Sequence, residues 1–307
     1  RTILPFAFFY MSSYTTGAYV RNDNNPSNAM MGSVIASLFN IVFDYIFMFP
    51  MDMGMAGAAL ATGLSPIVNS LFCLLHYCSK KNTIPFGWQT PRFKHLCACC
   101  KLGLSNFVGE IANAVTITTF NMLILNLSGN IGVASYGVIA NVSAVCNAMF
   151  NGLAQGVQPL MSQSYGKKDN RSLGKYLQYG IVTALLFSLT IVFTVNFKSD
   201  FFISLFNSEN NAGLHAAAAE GIRLYFWAFF FVGINTLLVS YFSATNNPKP
   251  AFLTSLIRGT FAIVFFAIVL SSIWKMTGVW LAFPCSEAFS LLIIFYYYKK
   301  EQNEAMP

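Results

Sequence analysis

The sequence predicts an all-α, polytopic membrane protein built from two lobes that are related by a parallel repeat. Its composition is the first indication, because 55% of the 307 residues are hydrophobic, 16% are aromatic and only 9% are charged. Soluble domains carry about 25% charged residues, so this chain is expected to lie in a lipid bilayer. A series of long apolar runs and an internal repeat are the second and third indications.

Nine apolar runs are long enough to cross a hydrocarbon layer of roughly 30 Å as helices. They are separated by turn-forming sequences such as Asn24-Asn25-Pro26, Ser128-Gly129-Asn130 and Asn246-Asn247-Pro248. The predicted spans cover residues 3–20, 29–50, 55–77, 102–127, 132–160, 177–197, 224–242, 251–274 and 279–298.

Basic residues gather in alternate connections between these spans. By the positive-inside rule these connections are cytoplasmic, which predicts a multi-pass protein of the cell membrane with a cytoplasmic C-terminus. The connections carry Arg21; Lys80, Lys81, Arg92, Lys94 and Lys101; Lys167, Lys168, Arg171 and Lys175; Lys249; and Lys299 and Lys300.

An internal repeat relates the first three spans to the last three at an offset of 222 residues. The turn Asn24-Asn25-Pro26 recurs as Asn246-Asn247-Pro248, and flanking identities include Phe8 with Phe230 and Tyr19 with Tyr241. After a slip of one residue the match continues with Gly57 and Gly278. Both copies begin on the same side of the membrane by the charge rule, so the repeat is parallel, as in two-lobed transporters with a central cleft.

The repeat also predicts the domain organisation. The sequence divides into a partial N-lobe at 1–78, a cytoplasmic loop between the lobes at 79–101, a C-lobe at 102–300 and a cytoplasmic tail at 301–307. The three spans between Lys101 and Phe197 have no partner ahead of Arg1. A complete repeat would therefore have twelve spans, of which nine are present, and the missing part is expected to hold about 120 residues.

Asp44 is the strongest candidate for a functional ion within a span. Ionisable residues in the hydrocarbon region are costly and mark functional sites by default. Asn40 lies one helical turn earlier and shares a face with Asp44. The repeat places Phe266 at the equivalent position, which favours a function for the carboxylate over helix packing alone. Thr62, in the next span, offers a hydroxyl oxygen that suits a hard cation, although its small-residue surroundings also fit helix packing.

Three further polar residues are candidates for the cleft of the second lobe: Glu110, Asn113 and Glu287. Asn113 follows Glu110 by about one turn, and Glu287 follows Pro284 in the last span. Both acids lie within about three turns of the interface, so pairing with Arg258 or Lys101 is the alternative for them. Arg258 itself is interpreted as a residue near a helix end.

The sequence argues against an enzyme and against soluble partners. It contains no G-x-S-x-G, H-E-x-x-H, Walker-type or G-x-G-x-x-G motif, so ATP-driven chemistry within this chain is not expected. The net charge of +7 is spread over loops rather than gathered on one surface, which argues against nucleic-acid binding. Cys97, Cys99 and Cys100 beside His95 have neither a second C-x-x-C pair nor distant partner ligands and are interpreted as packing thiols rather than metal ligands.

The order and spacing of several motifs resemble the multidrug and toxic compound extrusion (MATE) family. The run from Arg21 to Thr62 is similar to the family's fourth to sixth helices. Gly152-Leu-Ala-Gln-Gly-Val-Gln-Pro159 with Ser164-Tyr-Gly166 resembles its eighth helix and following loop, and Gly278-Val-Trp-Leu-Ala-Phe-Pro284 its twelfth. The details are most similar to the prokaryotic DinF-like branch. The resemblance covers essentially the whole chain and implies that the first three helices of the family are missing from it.

This resemblance implies a cation-coupled antiporter that exports small organic, mainly cationic, compounds by alternating access. Asn40, Asp44 and Thr62 match three members of the family's N-lobe cation site, where H⁺ or Na⁺ is the coupling ion and no cofactor or other metal is expected. Glu110 matches one acid of a second site found in some members, but the tenth-helix acid is absent from 224–242. The implied partners are a small organic substrate and the lipid bilayer, with a monomer as the expected state.

Two other functions remain open at this stage. A flippase for lipid-linked oligosaccharides belongs to the same wider superfamily, but it should line its cleft with several cations, whereas the mid-span ions here are acidic. A non-transporting membrane scaffold has no reason to keep Asp44 where the repeat has Phe266.

Overall fold

The structure, a computed structural model, describes residues 3–79, 82–83, 92–207 and 211–304, and these form helices and their connections. Arg1, Lys80 and Lys81 lie outside the described residues. Two compact units are present, one at 1–90 and the other at 91–307. Helix α4 begins at Phe93, inside the 79–101 segment that the sequence analysis assigned to a loop.

The first unit contains three long helices among its described residues. A 3₁₀ turn at Leu4–Phe6 leads into α1, and a second 3₁₀ turn at Leu75–Cys78 follows α3. The helices are α1 (Ala7–Asn22), α2 (Pro26–Met48) and α3 (Gly54–Leu74).

The described part of the second unit contains seven further helices, with a 3₁₀ turn at Phe226–Ala228 and a π-helical turn at Ile257–Ala262. The helices are α4 (Phe93–Gly166), α5 (Asn170–Phe197), α6 (Ser199–Ser204), α7 (Ala212–Tyr225), α8 (Phe229–Ala244), α9 (Pro248–Leu256) and α10 (Ile263–Glu304).

Six helical stretches of the described residues are long and apolar enough to cross a membrane. Two of them are broken, because the backbone leaves the helical region at Gly129 and at Lys275. With α1, these breaks give nine segments within the described part of the chain, in agreement with the predicted spans. The stretches are Pro26–Met48, Gly54–Cys78, Phe107–Gly166, Asn170–Phe197, Ala212–Ala244 and Pro248–Glu301.

The two copies of the repeat adopt the same turn. Asn24 has φ 57° and Asn246 has φ 55°, a left-handed conformation that asparagine tolerates better than most residues. The backbone N–H of Asn25 donates to the carbonyl oxygen of Val20 at 3.2 Å, and that of Asn247 donates to the carbonyl oxygen of Phe242 at 2.9 Å. The prolines that follow begin α2 and α9, where a missing N–H costs nothing.

Glycines of the repeat let successive spans approach closely. A Cβ on Gly57 would lie 2.8 Å from the carbonyl carbon of Phe47, and one on Gly278 would lie 1.9 Å from the carbonyl oxygen of Leu270. Each contact joins the beginning of a span to the end of the span before it. The matched glycines therefore set the distance between neighbouring helices in both units.

Apolar side chains divide between a buried core and outward faces. In the second unit the core includes Phe120, Phe226, Phe229 and Trp280, all at most 1% exposed. Large side chains such as Ile41 on α2 are 65% exposed. In a bilayer such faces are solvated by lipid, so packing and polar contacts, rather than water exclusion alone, hold the helices together.

Candidate functional site

The polar site of the first unit lies between α2 and α3. Asn40 Nδ2 on α2 is 3.5 Å from Thr62 Oγ1 on α3, so the structure brings together two of the three residues that the sequence analysis singled out. One turn from Thr62, the hydroxyl of Ser65 donates to the carbonyl oxygen of Ala36 at 3.1 Å. These contacts fix the register of the two helices around the site.

Asp44 stands one turn after Asn40 on α2, and its side chain is half-buried. Its Oδ1 atom is buried and accepts no hydrogen bond from the described residues. Buried polar atoms are nearly always paired, so an orphan acceptor calls for an explanation such as a bound ion or water. The two helices are in close contact nearby, where Gly57 packs on Phe47.

Helix α1 also contributes to this region. The hydroxyl of Tyr10 donates to the carbonyl oxygen of Thr62 at 3.0 Å, and Asn69 Nδ2 donates to Ser13 Oγ at 2.6 Å. Sequence reasoning missed Tyr10, because a tyrosine in an apolar run is not distinguished by its type. The three helices therefore hold Thr62 from its backbone side while its hydroxyl faces Asn40.

The position equivalent to Asp44 is apolar in the second unit, as the repeat predicts. Phe266 packs against the buried core, and its ring centroid lies 5.8 Å from that of Phe289. Ala262, equivalent to Asn40, is buried. At these two repeat positions, only the first unit carries a carboxylate and an amide, those of Asp44 and Asn40.

The three candidates for the second lobe separate into two environments. Glu110 and Asn113 are exposed on the first half of α4. Glu287 is 4% exposed and forms an ion pair with Arg258, from Nε to Oε1 at 2.8 Å. Arg258, which the sequence analysis treated as a helix-end residue, therefore has a specific partner.

Asn235 completes the surroundings of Glu287. Its Nδ2 donates to Glu287 Oε2 at 2.8 Å and to the backbone oxygen of Glu287 at 3.0 Å. Its own Oδ1 is buried without a partner among the described residues. Sequence reasoning missed Asn235, although an asparagine in the middle of an apolar span is the kind of signal that marks a buried polar contact.

A separate polar cluster lies at the end of α1. Asp23 and His76 are both buried, with His76 Nε2 2.7 Å from Asp23 Oδ2, and Asn25 Nδ2 lies 3.0 Å from His76 Nδ1. The backbone N–H and the hydroxyl of Thr83 also donate to Asp23. The bonds from Thr83 and His76 hold the pKa of Asp23 below its usual value, because they stabilise the ionised carboxylate.

The matching family profile is MatE, which covers residues 107–269. Among curated proteins, the multidrug export protein MepA of Staphylococcus saprophyticus is 25% identical over 279 residues, covering 90% of this chain and 60% of that protein. MepA of Staphylococcus aureus is 22% identical over 295 residues, covering 94% and 62%. This chain thus spans about 60% of the length of these relatives.

Solved structures show the same fold. A MATE protein in complex with MaL6 superimposes with a TM-score of 0.91 at 19% identity, covering 98% of this chain and 68% of that one. An outward-facing multidrug resistance MATE transporter of the MOP superfamily also gives a TM-score of 0.91, at 20% identity, with coverage of 98% and 68%. At this identity the likeness concerns the fold of the two units.

Proposed function

The chain belongs to the MatE family, and on that basis we propose that the full-length protein is a cation-coupled antiporter that exports small organic compounds, mainly cations. The observation that carries the proposal is the buried Oδ1 of Asp44, which has no partner among the described residues and lies one helical turn after Asn40, the residue that contacts Thr62. An acceptor in this state is suited to binding a cation or a proton. The relatives named multidrug export proteins support the direction and the class of cargo.

The driving ion is H⁺ or Na⁺. A proton needs only the carboxylate of Asp44, and its uptake removes the negative charge. Sodium prefers oxygen ligands, as hard cations do, and Asp44 Oδ1, Asn40 Oδ1 and Thr62 Oγ1 are the oxygens that this site offers. Asn40 uses its Nδ2 toward Thr62, so Oδ1 is the atom of Asn40 that we propose as an ion ligand.

Coupling follows from the difference in charge of Asp44 between its ion-bound and ion-free states. When an ion neutralises Asp44 from the outside, the first lobe is stabilised in a shape that holds substrate less well, and the substrate leaves outward. Departure of the ion toward the cytoplasm restores the charge and resets the site. This is alternating access driven by an inward ion gradient.

The cargo is a flat organic cation or a neutral compound of similar size. The chain is rich in aromatic residues, with 31 Phe and 14 Tyr, and aromatic faces attract organic cations. A flippase is less well supported, since Arg258, a span cation that would serve a pyrophosphate, is already neutralised by Glu287. We place the protein in the cell membrane with its C-terminus on the cytoplasmic side, following the basic connections.

Transport in proteoliposomes tests this function. Full-length protein is reconstituted with a fluorescent organic cation, and either a pH gradient or a Na⁺ gradient is imposed separately. Substrate should move against one of these gradients and stop when the matching ionophore collapses it. Movement that is unaffected by both ionophores, or no movement under either gradient, would contradict the proposal.

A further inference from the structure

Four residues from three elements of the second unit form one partly buried polar cluster, here called the Arg258 cluster: Asn235, Thr236, Arg258 and Glu287. Arg258 Nε donates to both carboxylate oxygens of Glu287, at 2.8 and 2.9 Å. Its Nη1 lies 3.3 Å from Thr236 Oγ1. The cluster therefore links α8, the π-helical turn and the second half of α10.

Both oxygens of the Glu287 carboxylate have hydrogen-bond donors. Besides the two contacts from Arg258, Oε2 accepts from Asn235 Nδ2 at 2.8 Å. The amide nitrogen of Asn235 is fixed in this direction because it faces two oxygens, the second being the backbone oxygen of Glu287. Asp44 is the opposite case, since its buried oxygen has no donor among the described residues.

The backbone around Arg258 is unusual and closely packed. Arg258 lies in the π-helical turn Ile257–Ala262, a widened turn that often occurs at functional positions. The next residue, Gly259, packs against α4, where an added Cβ would lie 2.1 Å from the Cβ of Ala112. The turn that carries Arg258 thus packs on the part of α4 whose exposed face carries Glu110 and Asn113.

From these contacts we infer that Glu287 is the fixed counter-ion of Arg258, and that the pair positions four segments of the second unit without exchanging ions during transport. The two charges cancel, so the pair is tolerated in the hydrocarbon region. Removing one charge leaves the other buried and uncompensated, which is far more costly than removing both. This inference rests on the proposed transport function only for its second clause, the absence of ion exchange.

A double-mutant cycle tests the inference in the full-length protein. The variants are Glu287→Gln, Arg258→Gln and the double variant, in which the two amides can bind each other. Each single variant should lower transport at matched membrane abundance by about tenfold or more, and the double variant should return to within about threefold of wild type. The pH profile and the ratio of ions to substrate should be unchanged in the double variant.

The thermal stability of the same four proteins in detergent is the second measurement. The double variant should be more stable than either single variant, whether or not a transported substrate is known. A double variant no more stable than the worse single one, or one that folds and transports but loses an ion from the coupling ratio, would overturn the inference. A wild-type protein that transports nothing would contradict the proposed function instead, and the stability cycle would still decide the role of the pair.

Discussion

Asn40 and Thr62 face each other across the contact between α2 and α3, with the amide nitrogen 3.5 Å from the hydroxyl oxygen. Twenty-two residues separate them in the sequence, and the connection between the helices brings them to one level. The carboxylate of Asp44 lies on the same face as Asn40, one turn away. The proposed coupling site therefore depends on two neighbouring helices of one unit.

Loss of the Thr62 hydroxyl should weaken the affinity for the driving ion. We expect Thr62→Ala to raise the ion concentration for half-maximal efflux by about fivefold, since one oxygen contact is worth roughly 1 kcal/mol. Thr62→Ser keeps the hydroxyl and is the matched control, with an expected change below about threefold. Efflux titrated against the driving ion measures both, and equal ion affinities in wild type and Thr62→Ala would remove Thr62 from the site.

The close approach of α2 and α3 should not tolerate an added methyl group. Gly57→Ala places a Cβ against the backbone of Phe47, and such overpacking costs about 1–3 kcal/mol. Gly152→Ala is the control, because a Cβ there meets no atom of the described residues within 4 Å, and alanine favours a helix by about 0.5–1 kcal/mol. Thermal unfolding in detergent should show a midpoint below that of wild type for Gly57→Ala and one equal to or above it for Gly152→Ala. The same midpoint for both variants would show that Gly57 is not required for the contact between α2 and α3.

Acid should remove the stabilisation that Asp23 provides. Its pKa is lowered in the folded protein by the bonds from Thr83 and His76, so its contribution is complete above the unfolded value of about 3.9 and is lost as the pH falls through the lower folded-state pKa. Asp23→Asn should therefore lower the unfolding midpoint at neutral pH, and the difference from wild type should shrink below about pH 3.9. A difference in unfolding midpoint that stays constant across this pH range would show that ionisation of Asp23 does not contribute to stability. The exposed Asp52→Asn serves as control.

Much of the fold follows from local sequence. The nine apolar runs, the breaks near Gly129 and Lys275 and the repeated Asn-Asn-Pro turn all appear where the sequence places them. These features depend on the length of apolar segments and on turn chemistry, which are local properties. The beginning of α4 at Phe93 was not predicted, because the basic residues of this segment marked it as a connection between spans.

The candidate sites were predictable only in part. The shared face of Asn40 and Asp44 follows from helical spacing, whereas the facing of Asn40 and Thr62 was expected from family resemblance and not from spacing. The enclosure of Glu287 depends on how three helical segments are rotated about their axes. The π-helical turn at Ile257–Ala262 changes that rotation. The sequence pattern did not predict this turn.

The most direct test of the coupling mechanism is ion-driven efflux by Asp44→Asn in the full-length protein. Asparagine keeps the shape and hydrogen-bonding ability of the side chain but cannot exchange a proton and does not carry the charge that attracts Na⁺. At matched expression, with the exposed Asp52→Asn as control, accumulation of a fluorescent organic cation is followed under an imposed H⁺ or Na⁺ gradient. The account predicts that Asp44→Asn folds normally and loses gradient-driven export while the control retains it. Full gradient-driven export by Asp44→Asn would contradict it and would direct the search for the coupling group toward Glu110.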